Sequence, residues 1–352
     1  MGIQQLLQLA VERGASDLHL RAGAPPILRI DGALVRLDQG APRLVPADIR
    51  QALSELTTES LEQRFAAAKE LDFPYSLEGV GRFRVNASIQ RGTVALAFRR
   101  IGLTIPTFEQ LNLPAICGSL ALKQRGLVLV TGPAGSGKST TLAAMIEHLN
   151  QQEARVVVTI EDPIEYLYQD RRSVITQREV GADTHSFAAA LRGALRQDVD
   201  VILVGEMRDP ETMAACLTAA ETGHLVLSTL HTKSAPLSID RIVDVFPPHQ
   251  QPQIRMQLSL TLEGALAQTL LPRRDQPGRI PAVEVMLANP AVRSLIREGK
   301  SHQLPNAIQT AAAEGMRTME QALAELVRQG TVAVEEAWGA ANNPEALRSL
   351  LG

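Results

Sequence analysis

The chain has 352 residues, 45% of them apolar, and a formal net charge of −3 from 35 basic and 38 acidic residues. That length and apolar content suit two domains with sizeable cores and exclude a disordered or fibrous chain. The charge balance offers no field for phosphate polymers and 3% aromatic residues leave little for base stacking, so nucleic acid is not an expected partner.

From the N-terminus, Ile3, Leu6, Leu7, Ala10 and Val11 fall at helical spacing and predict an amphipathic helix over 3–12. Alternating runs at 17–21, 26–31 and 34–37, broken by Gly23, Pro25, Pro26 and the Asp31-Gly32 pair, predict strands, and helices follow at about 46–56 and 59–68. Further strands are expected at 70–76, 81–86 and 93–100. In the middle one Arg82, Arg84 and Asn86 share a face opposite Phe83 and Val85, the ordinary pattern of a solvated side over an apolar one. Residues 1–100 thus predict a small α/β domain. Residues 101–114 carry two prolines, a glycine and no period, and read as a linker; the second domain spans 115–352.

An apolar run over 126–131 meets Gly132, Pro133, Ala134, Gly135, Ser136, Gly137, Lys138, Ser139 and Thr140, and then a helix-forming run from Leu142 to Ile146. Strand, glycine-rich turn and helix in that order predict a phosphate loop. The glycines let successive N–H groups wrap a phosphate, and the helix N-terminus adds its positive end. Lys138 would reach the β- and γ-phosphates of a nucleotide, and Ser139 would hold Mg²⁺.

Downstream, the pattern predicts a helix at 138–150 and a strand at 155–160 that runs into Glu161, Asp162 and Glu165. After an irregular stretch come a helix over 186–197, a strand from Asp200 to Glu206, a helix opened by Asp209 and Pro210 and closed by Gly223, and a strand from His224 to His231. The remainder predicts helices near 235–245, 250–271, 290–299, 302–313, 318–329 and 333–341, with one strand at about 280–287 and a capping box of Thr318 and Gln321. Cys117 and Cys216 stand far apart, with no CxxC pair, and read as buried small apolar residues. No uncharged apolar stretch approaches eighteen residues, no signal peptide is evident, and Leu6 occupies the place where a myristoylation site needs Ser or Thr. A soluble cytoplasmic protein without an integral membrane segment is expected.

Transfer of a phosphoryl group to water requires a cradle, Mg²⁺, an oriented water and positive charge near the γ-phosphate. Glu206 is the candidate for the water, expected to end a buried strand next to the phosphate loop and to follow Gly205, which leaves room. Of Glu161, Asp162 and Glu165, one or two would tune Mg²⁺ or the water while the others cap or pair. His224 and His231 are seven residues apart, which is no metal-ligand spacing; each is either a γ-phosphate sensor or a satisfied core histidine. Arg84, Arg99 and Arg241 can supply positive charge, and the residues alone do not choose among them. Arg273 and Arg274 read as a solvated loop.

These motifs form a linear series: Ala15-Ser-Asp-Leu-His-Leu, the loop at 132–139, Thr159 to Glu165, Asp200 to Glu206 with Met207-Arg208-Asp209, Ala219 to Thr232, and Ile239 to Pro247. In this series the chain resembles the secretion ATPases of type II and type IV pilus systems, and most nearly their pilus retraction branch. The resemblance implies a PAS-like N-terminal domain joined to a RecA-like P-loop ATPase domain in a homohexameric ring that hydrolyses ATP with Mg²⁺. It gives Glu206 the Walker B role, Glu161 and Glu165 the aspartate-box role, and His224 and His231 the histidine-box role. Arg84 and Arg99 would meet the γ-phosphate when the domains close, with Arg241 a further contributor. The implied partner is an inner-membrane pilus platform protein, reached from the cytoplasmic face of the membrane. Extension and type II secretion ATPases usually carry a four-cysteine zinc module and a long N-terminal extension, and neither is found in this sequence. The retraction motif appears as Ala291-Val-Arg293-Ser294-Leu-Ile-Arg297-Glu298, with Ser294 in place of Asn. The rival readings are an extension or type II secretion ATPase, a RecA-like DNA motor and a non-hydrolysing nucleotide-gated adaptor.

Overall fold

Alternation of apolar and polar residues organises the first of two units in the computed structural model, which describes residues 2–30, 32–37, 43–102 and 104–352. Asp31 of the expected turn and Leu103 of the expected linker lie outside the described residues. The first unit takes in 1–103 with Glu165–Leu167. Its helices are α1 (Ile3–Glu12), α2 (Pro46–Leu56) and α3 (Glu59–Ala68). Its strands are β1 (Asp17–Arg21), β2 (Ile27–Ile30), β3 (Ala33–Arg36), β4 (Glu70–Leu77), β5 (Gly81–Gln90) and β6 (Thr93–Arg100), in the antiparallel order β3-β2-β1-β6-β5-β4. Phe83, Val85 and Ala87 of β5 point to one face, where they meet Phe98, Leu18 and the apolar stripe of α1, Ile3, Leu6, Leu7 and Ala10.

The second unit takes in 104–164 and 168–352. After α4 (Ile116–Ala121) come β7 (Gly126–Thr131), α5 (Lys138–Gln152), β8 (Val156–Glu161), β9 (Val174–Glu179), α6 (Phe187–Ala194), β10 (Val201–Val204), α7 (Pro210–Glu221), β11 (Leu225–Leu230), α8 (Ala235–Asp244), α9 (Gln251–Thr261), β12 (Leu262–Pro272) and β13 (Arg279–Leu287). The helices α10 (Pro290–Arg297), α11 (Leu304–Thr310), α12 (Met319–Arg328), α13 (Val334–Ala340) and α14 (Pro344–Leu351) complete the chain. The sheet order is β13-β12-β7-β11-β10-β8-β9, parallel except for β13. Successive residues of β7 serve opposite cores. Leu127 and Leu129 join α6, α7 and α8, whereas Val128 and Val130 join α4 and α5. A strand buried on both faces carries no polar alternation, which is why β7, β10 and β11 read as continuous apolar runs.

Three expectations change. The helix expected over 250–271 stops at Thr261, and Leu262–Pro272 is β12, paired with β7 on one side and β13 on the other. Burial on both faces and a full ladder outweigh the helical propensity of its Leu and Ala residues, and Gly264 admits Leu120, whose Cδ2 would stand 3.0 Å from an added Cβ. The irregular stretch after Glu165 contains β9, an edge strand on β8. In the sheet order β11 lies between β7 and β10, the strand that leads to Glu206. The stretch read as a linker is divided: Ile101 and Gly102 go with the first unit, and from Thr104 onward it goes with the second, where Phe108 and Leu113 pack on the α4–α5 core.

Both cysteines are buried; burial pushes the Cys117 thiol up to about 12 and raises that of Cys216 further. The Thr318–Gln321 capping box opens α12. Among the described residues no helix is long and apolar enough to cross a membrane.

One buried acid makes stability depend on pH. Glu284 of β13 accepts from Ala235 N–H at the start of α8, at 2.6 Å. Burial pushes its carboxyl from an ordinary 4.5 up to about 7, helped by repulsion from Glu320 and opposed by the Ala235 and Met319 amides. The folded chain holds this proton more tightly than the unfolded chain. Its cost is therefore absent below pH 4.5, grows as pH rises and is complete above about 7. Glu284→Gln, which keeps the acceptor, should raise the unfolding free energy by ~1–3 kcal/mol at pH 8 and hardly at pH 4.5, measured by urea denaturation.

Candidate active site

Gly132, Gly135 and Gly137 adopt φ of 145°, 75° and 89°, and the loop they form delivers the chain into α5. Gly137 caps that helix without a side-chain bond, and no acid occupies the first turn, so the amino end of a 15-residue helix stays open toward the loop. Lys138 is buried, its ammonium donating to the carbonyls of Gly132 and Pro133 at 2.9 Å each. Ser136 is 3% exposed, and its hydroxyl has no hydrogen-bond partner among the described residues. Buried ammonium, open helix end, bare glycines and a spare hydroxyl are a donor set suited to a polyphosphate. Ser139 presents an exposed hydroxyl one residue further on, as a Mg²⁺ ligand in such a site requires. A cavity of about 270 Å³ opens beside Gly137, Thr140 and Thr141, walled by Gln110, Leu111, Leu113, Leu270, Arg279 and Pro281.

Parallel strands collect the other groups at their carboxyl ends. Glu206 follows β10 with a side chain 12% exposed; its Oε1 lies 2.5 Å from Arg208 Nη2 and its Oε2 3.3 Å from His231 Nε2. His231 leaves β11, the strand between β7 and β10, so the histidine spans the gap that β11 creates. The next residue closes the loop to the loop: Thr131 Oγ1 donates to Thr232 O at 2.6 Å, and Thr232 Oγ1 lies 2.6 Å from Ser238 Oγ on α8. Glu161 ends β8, its Oε1 accepting from Thr159 Oγ1 at 2.6 Å and from Gln177 Nε2 at 3.3 Å. The residues brought together at this edge are the loop at 132–140, Glu206, His231 and Glu161.

The remaining candidates lie elsewhere. His224 stands before β11, at the opposite end of the sheet, with Nδ1 3.0 Å from Ala219 O and its carbonyl accepting from Gly126 N–H. Arg241 is exposed on the last turn of α8, and Asp162 is exposed after β8. Glu165 falls with the first unit. Arg84 and Arg99 are paired in register on β5 and β6 of that unit. Arg84 lies 4.0 Å from Asp72, and Arg99 Nε donates to Asp17 Oδ1 at 2.9 Å. Partial burial raises the Asp17 carboxyl, but hydrogen bonds from Ser16 and Arg99 hold it below its ordinary value. One residue of the site escapes sequence reading altogether. Gln268 of β12 is 3% exposed and is bonded to Ser136 O and Thr141 Oγ1. The only signal was a polar residue inside an apolar run.

The profile of the Type II/IV secretion system protein family matches residues 89–339. The type IV pilus retractation ATPase PilT of Pseudomonas aeruginosa is 45% identical over 345 residues, 98% of this chain and 99% of its own length. A twitching motility protein of Neisseria gonorrhoeae is 47% identical over 323 residues, 92% of this chain and 86% of its own. The crystal structure of a pilus retraction motor, PilT, with bound ADP superposes with a TM-score of 0.92 at 46% identity, covering 99% of both chains. The fold is thus that of a small N-terminal α/β domain and a RecA-like P-loop ATPase domain.

The loop's glycines are not equivalent. A Cβ on Gly132 would stand 2.2 Å from the Gln268 carbonyl, whereas one on Gly135 meets nothing within 4 Å. Gly132→Ala should therefore cost at least ~2 kcal/mol, and Gly135→Ala only the ~1 kcal/mol of a strained φ, read from unfolding midpoints of the two variants.

Proposed function

Because the chain belongs to the Type II/IV secretion system protein family, we propose that it is a Mg²⁺-dependent ATPase whose turnover drives retraction of type IV pili. The observation that carries the reading is the assembly of loop, Glu206, His231 and Glu161 on one sheet edge, in a chain matched end to end by a retraction motor. Backbone N–H groups of 134–138 and the Lys138 ammonium bind the β- and γ-phosphates, and the nucleoside enters the cavity beside Thr140. Ser139 would hold Mg²⁺, while Glu161, at the end of β8, would tune the ion or the water from the same sheet edge. That ion supplies neutralising charge for the phosphates.

Glu206 orients the attacking water and accepts its proton. Arg208 and His231, one on each carboxylate oxygen, fix the direction in which the acid points. His231 also stands where the presence of a γ-phosphate can be felt, and the Thr131–Thr232 bond ties that position to the root of the phosphate loop. Arg84 and Arg99 supply positive charge for the γ-phosphate, with Arg241 as a further source. His224 and Glu165 keep family roles that act in a homohexamer. Six such chains form the ring, which works on an inner-membrane platform protein from the cytoplasmic face of the membrane.

Glu206→Gln removes the base while preserving the shape. The purified variant should hydrolyse ATP at least ~100-fold more slowly than wild type with ATP affinity within about threefold. Cells carrying only this variant should display pili and fail to twitch. Retained hydrolysis would refute the role of Glu206, a wild-type chain that binds but never hydrolyses ATP would indicate an adaptor, and loss of surface pili would indicate extension.

A further inference from the structure

Gln268 reaches the phosphate loop from β12, 132 residues away in the chain. Its carboxamide is used at both ends, Nε2 donating to Ser136 O at 2.8 Å and Oε1 accepting from Thr141 Oγ1 at 2.8 Å. Thr141, itself 1% exposed, lies in the first turn of α5. The backbone of the same residue crowds the other end of the loop, its carbonyl 2.2 Å from where a Cβ of Gly132 would be, and its Nε2 is 2.9 Å from where one of Gly137 would be. A single residue thus abuts the loop at its entry, its last peptide and the helix that follows.

The Ser136–Gly137 peptide is the informative contact. In a trans peptide the C=O and the following N–H point in opposite directions. Drawing Ser136 O onto Gln268 therefore turns the Gly137 N–H to the other side, toward the space that the loop encircles. We infer that Gln268 is a positioning residue for the nucleotide: it fixes the Ser136–Gly137 peptide so that Gly137 N–H faces the phosphates. The inference rests on the nucleotide reading of this site. A carboxamide suits both contacts, since one end donates to a carbonyl while the other accepts from a hydroxyl. A carboxylate would set negative charge against Ser136 O and near the phosphates, and a thioether of similar volume would offer no donor.

A residue that merely filled the core would change stability and leave affinity alone, so affinity is the readout. The test compares wild type, Gln268→Met, Gln268→Glu and Thr141→Val as full chains, by ADP titration in Mg²⁺ buffer, by KM and kcat for ATP, and by the melting midpoint without nucleotide. The dissociation constant for ADP and the KM for ATP should rise at least tenfold in Gln268→Met, and further in Gln268→Glu, with kcat at saturation within about threefold of wild type. Thr141→Val, isosteric and missing only one bond, should raise both about threefold, so the inference is tested even if the Gln268 variants do not fold. Folded Gln268→Met with unchanged ADP affinity overturns the inference, as does unchanged affinity in Thr141→Val when the Gln268 variants fail to fold. A wild-type chain that does not bind ADP overturns the nucleotide reading instead.

Discussion

The site depends on how closely the backbone of the phosphate loop can lie against β12. At Gly132 there is no room for even a methyl group, since a Cβ would sit 2.2 Å from the Gln268 carbonyl. That closeness leaves the loop's outer side held by the sheet and its inner side free to face an anion. The packing below explains why the loop can be held so firmly. It springs from β7, which lies third in the sheet with β12 on one side and β11 on the other, and every residue of β7 is buried. A loop anchored on both flanks loses little further freedom when a ligand binds, which favours affinity.

The insertion of β11 gives the site its second property. Two elements distant in sequence, the root of the phosphate loop and the turn after β11, are joined by the Thr131–Thr232 bond, and Thr232 is joined in turn to Ser238 of α8. The residue before Thr232 is His231, beside Glu206. Any displacement at the loop thus has a short path of direct hydrogen bonds to the acid and to α8, whose amino end is in turn fixed by the buried Glu284. This contiguity is the physical basis for supposing that nucleotide state can be passed to the surface of the second unit.

Local features were legible in the sequence. Helices α2 and α3 begin and end where the periodicity placed them, the capping box at Thr318 and the proline at the start of α7 mark real helix starts, and the phosphate loop was readable from its glycine spacing. What was not legible is what neighbours decide. The run from Leu262 to Pro272 has no period of its own and is a strand only because β7 and β13 pair with it. Sheet order is likewise non-local, so neither the place of β11 between β7 and β10 nor the position of His231 beside Glu206, with His224 at the far end of the same strand, could be read from the chain. Gln268 shows in the sequence only as a polar residue inside an apolar run, because the contact that places it is made with Ser136, 132 residues away.

The most direct test of a motor of pilus retraction is to film individual labelled pili on living cells whose own copy carries Lys138→Ala, a change that removes the ammonium now bonded to Gly132 O and Pro133 O and proposed to meet the phosphates. The account predicts that pili emerge at wild-type frequency and then stay extended, so that surface pili accumulate. Pili that withdraw at the wild-type rate, or cells that never extend them, would contradict it.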